Sequence, residues 1–281
     1  MKILAEVINK NNLYLDIVDG IILPIKDYSV ESVCYFDINE IISIKKNTNR
    51  EVFVKINKNL FNKDISSVKE ILQTLNDNKI DGVFFYDLAI LQLKNELNLD
   101  IKLIWNQTHM VNNYRTCDYY YSKGVDYALL GKEITIDEIL EIIKLSKIGS
   151  MVEVVSLPSV GFSRRLLVSN YYNDLGVSGD KVLKVKEKIT DTNYDVIEDE
   201  NGTCFYYDKI MNGTGIIKDL YNNGCDYIIF REYGIDDFSE LLSDTKEYID
   251  NKCESSMYID KYKKLGDSTN FFFKKTIYKV K

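Results

Sequence analysis

Short apolar runs alternate along this chain with longer stretches whose apolar residues recur every three or four positions. Gly20–Leu23, Glu51–Ile56, Gly82–Tyr86, Lys102–Trp105, Tyr127–Leu130, Met151–Val155 and Tyr227–Phe230 read as strands. Most are continuous apolar runs, as strands covered on both faces require. The first residues, Met1–Glu6, also read straight into a strand. The stretches between them predict amphipathic helices. Val68, Ile71, Leu72 and Leu75 make one stripe, Ile139, Leu140 and Ile143 a second, and Phe238, Leu241, Leu242 and Ile249 a third. Ser67-Val68-Lys69-Glu70 and Thr135-Ile136-Asp137-Glu138 have the form of capping boxes, in which hydroxyl and carboxylate each satisfy an orphan backbone N–H.

Three helices are expected to end in the same way. Lys79-Ile80-Asp81-Gly82, Lys123-Gly124-Val125-Asp126 and Asn223-Gly224-Cys225-Asp226 each place glycine and aspartate just before an apolar strand. Strand–helix alternation at this spacing means βα units and a parallel sheet. No GxGxxG turn follows the first strand and there is no P-loop, so an α/β TIM-barrel-like parallel barrel fits better than an open sheet. Seven strong strands leave room for an incomplete or irregular barrel. The rhythm breaks over 156–208, where Lys184, Lys186 and Lys188 alternate and Asn201-Gly202 marks a hairpin. This stretch predicts a small β-rich insertion at the end of a barrel strand where such folds build their sites, within one domain spanning 1–281.

Composition narrows the class of function. At 45% hydrophobic and 28% charged, 281 residues can bury a full core. No uninterrupted apolar stretch approaches eighteen residues, and Glu6 interrupts the N-terminal run where a signal peptide would continue, so no membrane and a cytoplasmic location are expected. The five cysteines (Cys34, Cys117, Cys204, Cys225, Cys253) are dispersed and include no CxxC pair. That argues for ordinary core thiols and against a disulfide framework or a cysteine-ligated metal. A net charge of −7 does not suit a general nucleic-acid binder, although Lys261–Lys281 holds seven lysines and one acid.

The most specific string is Phe162-Ser163-Arg164-Arg165-Leu166-Leu167-Val168-Ser169-Asn170-Tyr171. It resembles the signature of the U32 peptidase family, with agreement at Ser163, Arg165, Leu167, Ser169, Asn170 and Tyr171. Val196–Thr203 resembles that family's E-D-x-x-G-T hairpin, Gly131–Thr135 a strand end, and Asn270–Lys281 a closing strand. The resemblance implies a role as accessory or subunit protein in hydroxylation of a tRNA wobble uridine, with a longer cluster-bearing U32 paralogue as partner and tRNA as a further one. It also implies two alternatives: a collagenase-like peptidase, or a non-catalytic binding or scaffold protein. Leu166 stands where the signature has cysteine, so no iron–sulfur cluster and no other cofactor is expected.

The candidate pocket residues are Asp87, Glu133, Glu153, Arg164, Arg165 and Asn170. Glu133 and Glu153 sit at or inside apolar strands, where a carboxylate requires a partner; Arg164 and Arg165 are the expected ones, as guanidinium forks match carboxylates. Asp87 lies at a strand end. His109 is the single histidine, so any histidine-dependent hydrolysis would have to use it. Tyr119-Tyr120-Tyr121 and Tyr206-Tyr207 are candidate stacking surfaces for bases.

Overall fold

Eight of the apolar runs form one closed, all-parallel barrel. The computed structural model describes residues 1–107, 109–189 and 191–266, so the lysine-rich end beyond 266 and the strand expected over 270–281 lie outside the described residues. β1 (Lys2–Glu6) pairs with β2 (Gly20–Pro24) and with β13 (Tyr227–Arg231). β3 (Glu51–Ile56), β4 (Gly82–Phe85), β5 (Lys102–Trp105) and β6 (Tyr127–Leu129) follow in chain order. β7 (Gly149–Ser156) closes the ring by pairing with both β6 and β13. The N-terminal run therefore supplies the eighth strand. The irregularity lies elsewhere: residues 7–19 link β1 to β2 without a helix.

α1 (Ile38–Lys46), α2 (Ile65–Asp77), α3 (Ala89–Leu97), α4 (Tyr114–Ser122) and α5 (Ile136–Leu145) connect successive strands, and α8 (Phe238–Ile249) and α9 (Ser255–Tyr262) follow β13. The strands alternate, save at the end of β7, where the register against β13 shifts and Val154 and Val155 both join the outer core. Ile3, Ile21, Val52, Val54, Val83 and Leu103 face outward into the core shared with the helices, while Leu4, Ile22, Phe53, Phe84, Ile104, Leu129, Met151 and Ile229 fill the barrel. The Thr135–Glu138 box caps α5 as its pattern predicts. The Ser67–Glu70 box does not cap α2. A 3-10 turn at Asn62–Asp64 starts the helix three residues earlier, at Ile65, and puts Ser67 inside it.

The aspartates of the repeated turns have one shared task at the N-terminal end of the barrel. Asp81 accepts from the Val52 N–H at 2.6 Å, Asp126 from Leu103 at 2.9 Å and Asp226 from Ser150 at 2.8 Å. Asp19, just ahead of β2, does the same for Ile3 at 2.9 Å. Each carboxylate satisfies the N–H at the start of the neighbouring strand, a donor otherwise left unpaired beneath the barrel.

Between β7 and β13 the chain leaves the barrel and forms an antiparallel sheet in the order β8 (Ser159–Ser163), β11 (Gly202–Tyr207), β10 (Asn193–Asp199), β9 (Val182–Lys186). α6 (Leu167–Leu175) lies within it. β12 (Met211–Asn212) and α7 (Ile217–Asn222) then lead back to β13. Loops at the C-terminal ends of barrel strands tie this sheet down: Tyr35 Oη donates to Asp199 at 2.8 Å, Lys58 Nζ to Asn201 Oδ1 at 2.8 Å, and Ser159 Oγ to Glu31 at 2.9 Å.

Candidate functional site

Two residues beyond the apolar barrel filling, on the same face of the strand, five of the eight strands turn polar or charged. Leu4 is followed by Glu6, Phe53 by Lys55, Ile104 by Asn106, Met151 by Glu153 and Ile229 by Arg231. Because side chains alternate with period two, all five point into the barrel at its C-terminal mouth. There they form a buried charged layer. Lys55 Nζ donates to both Glu6 oxygens, at 2.8 and 3.0 Å. Arg231 Nε lies 2.8 Å from Glu153 and 3.6 Å from Glu6. Lys132, from the loop after β6, lies 2.5 Å from the other Glu153 oxygen, which also accepts from Ser156 Oγ.

The electrostatics keep both carboxylates ionised. Burial alone would raise the Glu153 carboxyl, but Arg231 and then Lys132 outweigh it and hold the group down at about 2. Burial likewise opposes the charge on Glu6, and Arg231 and Lys55 bring it below the ordinary carboxylate range. These acids are anchors at neutral pH rather than proton shuttles. Beside Arg231 a void of about 20 Å³, walled by Tyr206, Tyr233 and Ser32, has room for a water.

A larger cavity of about 230 Å³ opens over the other half of the layer, lined among others by Asn57, Tyr86, Asn106, His109, Lys132 and Gly161. Asn57 is spent on the Val30 backbone, which its side chain pairs with in both directions. Asn106 is not. Its backbone N–H bonds to Phe85, the residue is 6% exposed, and among the described residues nothing bonds to its carboxamide.

The residues singled out from the sequence scatter around this centre. Glu153 is buried in it, but its partners are Lys132 and Arg231 instead of Arg164 and Arg165. Glu133 is exposed, next to Lys132 in sequence but turned outward to His109 at 3.3 Å, so it is no buried acid. Asp87 bridges loops, accepting from the Leu60 and Ala89 N–H groups at 2.9 and 3.0 Å. Arg164 stacks on Phe61 at 3.7 Å, and Arg165 and Asn170 are exposed. Of the tyrosines, Tyr206 is buried and Tyr120 is stacked on Trp105, while Tyr119 and Tyr121 are exposed on α4, away from this cavity's lining. Glu6, Lys55, Asn106, Lys132 and Arg231 escaped the sequence reading. The apolar-x-polar step at strand ends was a usable signal for all but Lys132.

The two family-like motifs meet in one capping device. Glu198 accepts from the Val168 N–H at 2.8 Å, from the Ser169 N–H and from Ser169 Oγ, closing the start of α6. Thr203 Oγ1 donates to the Arg165 carbonyl at 2.9 Å and accepts from the Leu167 N–H at 3.0 Å. Gly202, with φ +143°, lies so close to the Ser163 carbonyl that a Cβ would collide with it. The resemblance between motifs thirty residues apart thus describes one local fold.

The thiols do not fit an iron–sulfur cluster. All five are free, and Leu166 occupies the signature's cysteine position. Burial pushes Cys117 and Cys225 up to about 12 and Cys204 up to about 11, the opposite of the thiolates a cluster needs. Among the described residues no three histidine, cysteine or acidic side chains are grouped to hold a metal. No helix described is long and apolar enough to cross a membrane.

Comparison with known proteins gives a consistent picture. The model of peptidase family U32 matches residues 28–255. The chain is 27% identical to tRNA hydroxylation protein P2 of Bacillus subtilis (strain 168), over 86% of this chain and 85% of that one. It is 30% identical to an uncharacterized protease of Methanocaldococcus jannaschii, over 46% of this chain and 32% of the relative. A solved U32 peptidase structure superposes with a TM-score of 0.52 at 12% identity, covering 83% of this chain and 94% of that one.

Proposed function

Because this chain belongs to peptidase family U32, we propose that it is an accessory or subunit protein in hydroxylation of a tRNA wobble uridine. It works with a longer paralogue that carries the iron–sulfur cluster. The observation that carries this reading is the similarity to tRNA hydroxylation protein P2 along most of both chains. The dispersed thiols add a reason for the partner. A hydroxylation needs a redox centre, and these cysteines do not fit one.

Mass spectrometry of nucleosides from bulk tRNA, with and without this gene, tests the proposal. Loss of a hydroxylated wobble uridine on deletion, restored by the gene, is the expected result. An unchanged profile in a strain that also lacks any redundant paralogue would sink it. Partnership has its own test: the tagged chain should co-purify with the cluster-bearing paralogue.

One feature favours a second reading, hydrolysis. His109 and Glu133 are paired at 3.3 Å on the rim of the cavity, as a general base and its orienting acid would be. On that reading the purified chain cleaves denatured collagen unaided and His109→Ala abolishes cleavage. Cleavage that persists in the variant, or never occurs, disposes of it.

A further inference from the structure

The cavity at the barrel mouth has the shape and chemistry of a site for a single neutral polar ring. At about 230 Å³ it is smaller than the pockets that enclose drug-sized ligands. Of the acids and lysines only Lys132 and Glu31 line it, and both are engaged: Lys132 is paired with Glu153, and Glu31 accepts from Ser159 Oγ. A phosphate or carboxylate would find no unspent cation there. What is unspent is the carboxamide of Asn106, a residue 94% buried yet lining the cavity, with its donor and its acceptor side free. With no protein partner and open only to the cavity, this amide offers a donor and an acceptor together to whatever fills that space. Tyr86, half-exposed on the same wall, offers a ring face.

Outside the cavity the surface turns basic. Phe162 lines it, and the chain continues directly into Arg164 and Arg165; Asn57 and Asn59 line it, and Lys58 and Lys63 follow. Arg165 and Lys63 are exposed and in no ion pair among the described residues; burial and then Arg164, stacked on Phe61, disfavour the charge on Lys58. Asp64 and Asp27 are the acids facing this group.

We infer that the cavity receives a pyrimidine base turned out of a single-stranded RNA loop, with Asn106 reading its Watson–Crick edge and Arg164, Arg165 and Lys63 holding the flanking phosphates. This rests on the tRNA reading above and names the subsite within it. Uracil presents a carbonyl acceptor beside an N–H donor, the complement of a carboxamide, and its ring can lie on Tyr86. The basic rim supplies affinity without sequence preference, while the neutral interior supplies the choice of base.

The test uses the full-length chain and anticodon stem-loops that differ only at the wobble base. Wild-type protein is expected to bind the uridine stem-loop about tenfold more tightly than one carrying N3-methyluridine, which lacks the donor. A 4-thiouridine at that position should crosslink to the peptide containing Tyr86 or His109. Asn106→Leu should erase the preference, and Asn106→Asp, of the same shape, should move it toward cytidine. Arg164→Ala with Arg165→Ala should weaken all stem-loops alike and flatten the salt dependence. Equal binding of uridine and N3-methyluridine, or a crosslink away from the mouth, overturns the base-pocket assignment even if gene deletion removes the tRNA modification. No binding of any stem-loop overturns it as well, and an unchanged tRNA nucleoside profile identifies the parent reading as the one that failed.

Discussion

Glu153 and Arg231 face each other from the adjacent strands β7 and β13, Oε2 to Nε at 2.8 Å, with the acid fully buried. The N–H does not point along that line, so neither atom has a true hydrogen-bond partner, and the contact is an ion pair held by proximity. Lys132 and Ser156 serve the other oxygen. Such a layer orients side chains at the mouth more than it stabilises the fold, because desolvation offsets most of the attraction.

Removing one partner is a different matter. Glu153→Gln leaves Lys132 without its counter-charge and Arg231 with Glu6 alone in a buried site, which costs about 3 kcal/mol. Urea denaturation should show the midpoint falling with an unchanged slope. A loss below about 1 kcal/mol would mean that the layer is far wetter than its burial suggests.

The same carboxyl fixes a pH dependence. Its value falls from the ordinary 4.5 to about 2 on folding. A depressed folded value gives stability that is complete above the unfolded value and lost as pH drops toward the folded one. The shift corresponds to about 3 kcal/mol, disappearing between roughly pH 4.5 and 2. Urea midpoints measured through this window should decline more steeply for the wild type than for Glu153→Gln. Parallel curves would refute the assignment to Glu153.

The cap on α6 predicts a local effect. Glu198→Ala removes the acceptor for the Val168 and Ser169 N–H groups and should cost about 2 kcal/mol. Hydrogen exchange should speed up over 167–175 while the barrel strands keep their protection.

Two glycines in the same sheet should behave oppositely. Gly202→Ala meets both a positive φ and the Ser163 carbonyl, and should destabilise by more than about 1 kcal/mol. Gly161→Ala on β8 meets nothing and should stay within about 0.5 kcal/mol. Thermal unfolding of the two variants side by side checks the pair.

Much of the architecture was legible in the sequence because it is local. Continuous apolar runs between amphipathic stretches identify buried strands and covering helices, the Asp-Gly turns mark where strands begin, and Thr135–Glu138 announces the start of α5. The family motifs were legible as strings, and Leu166 in place of cysteine needed no structure to be seen. Ser67 misled because Asp64 and its 3-10 turn offered the chain an earlier start. Glu153 was singled out correctly as a buried acid in need of partners. Its partners were misassigned to Arg164 and Arg165, which are close in sequence.

Barrel closure decided that question. It brings β13 beside β7 and so sets Arg231 against an acid 78 positions earlier, while the loop after β6 delivers Lys132. The sequence by itself determined which residues are apolar, which strands and helices they build, and which side chains alternate inward. Only the tertiary structure decided which charges meet and which amide is left unpartnered at the mouth, because those depend on strand order and register around a closed ring, and no local pattern encodes them.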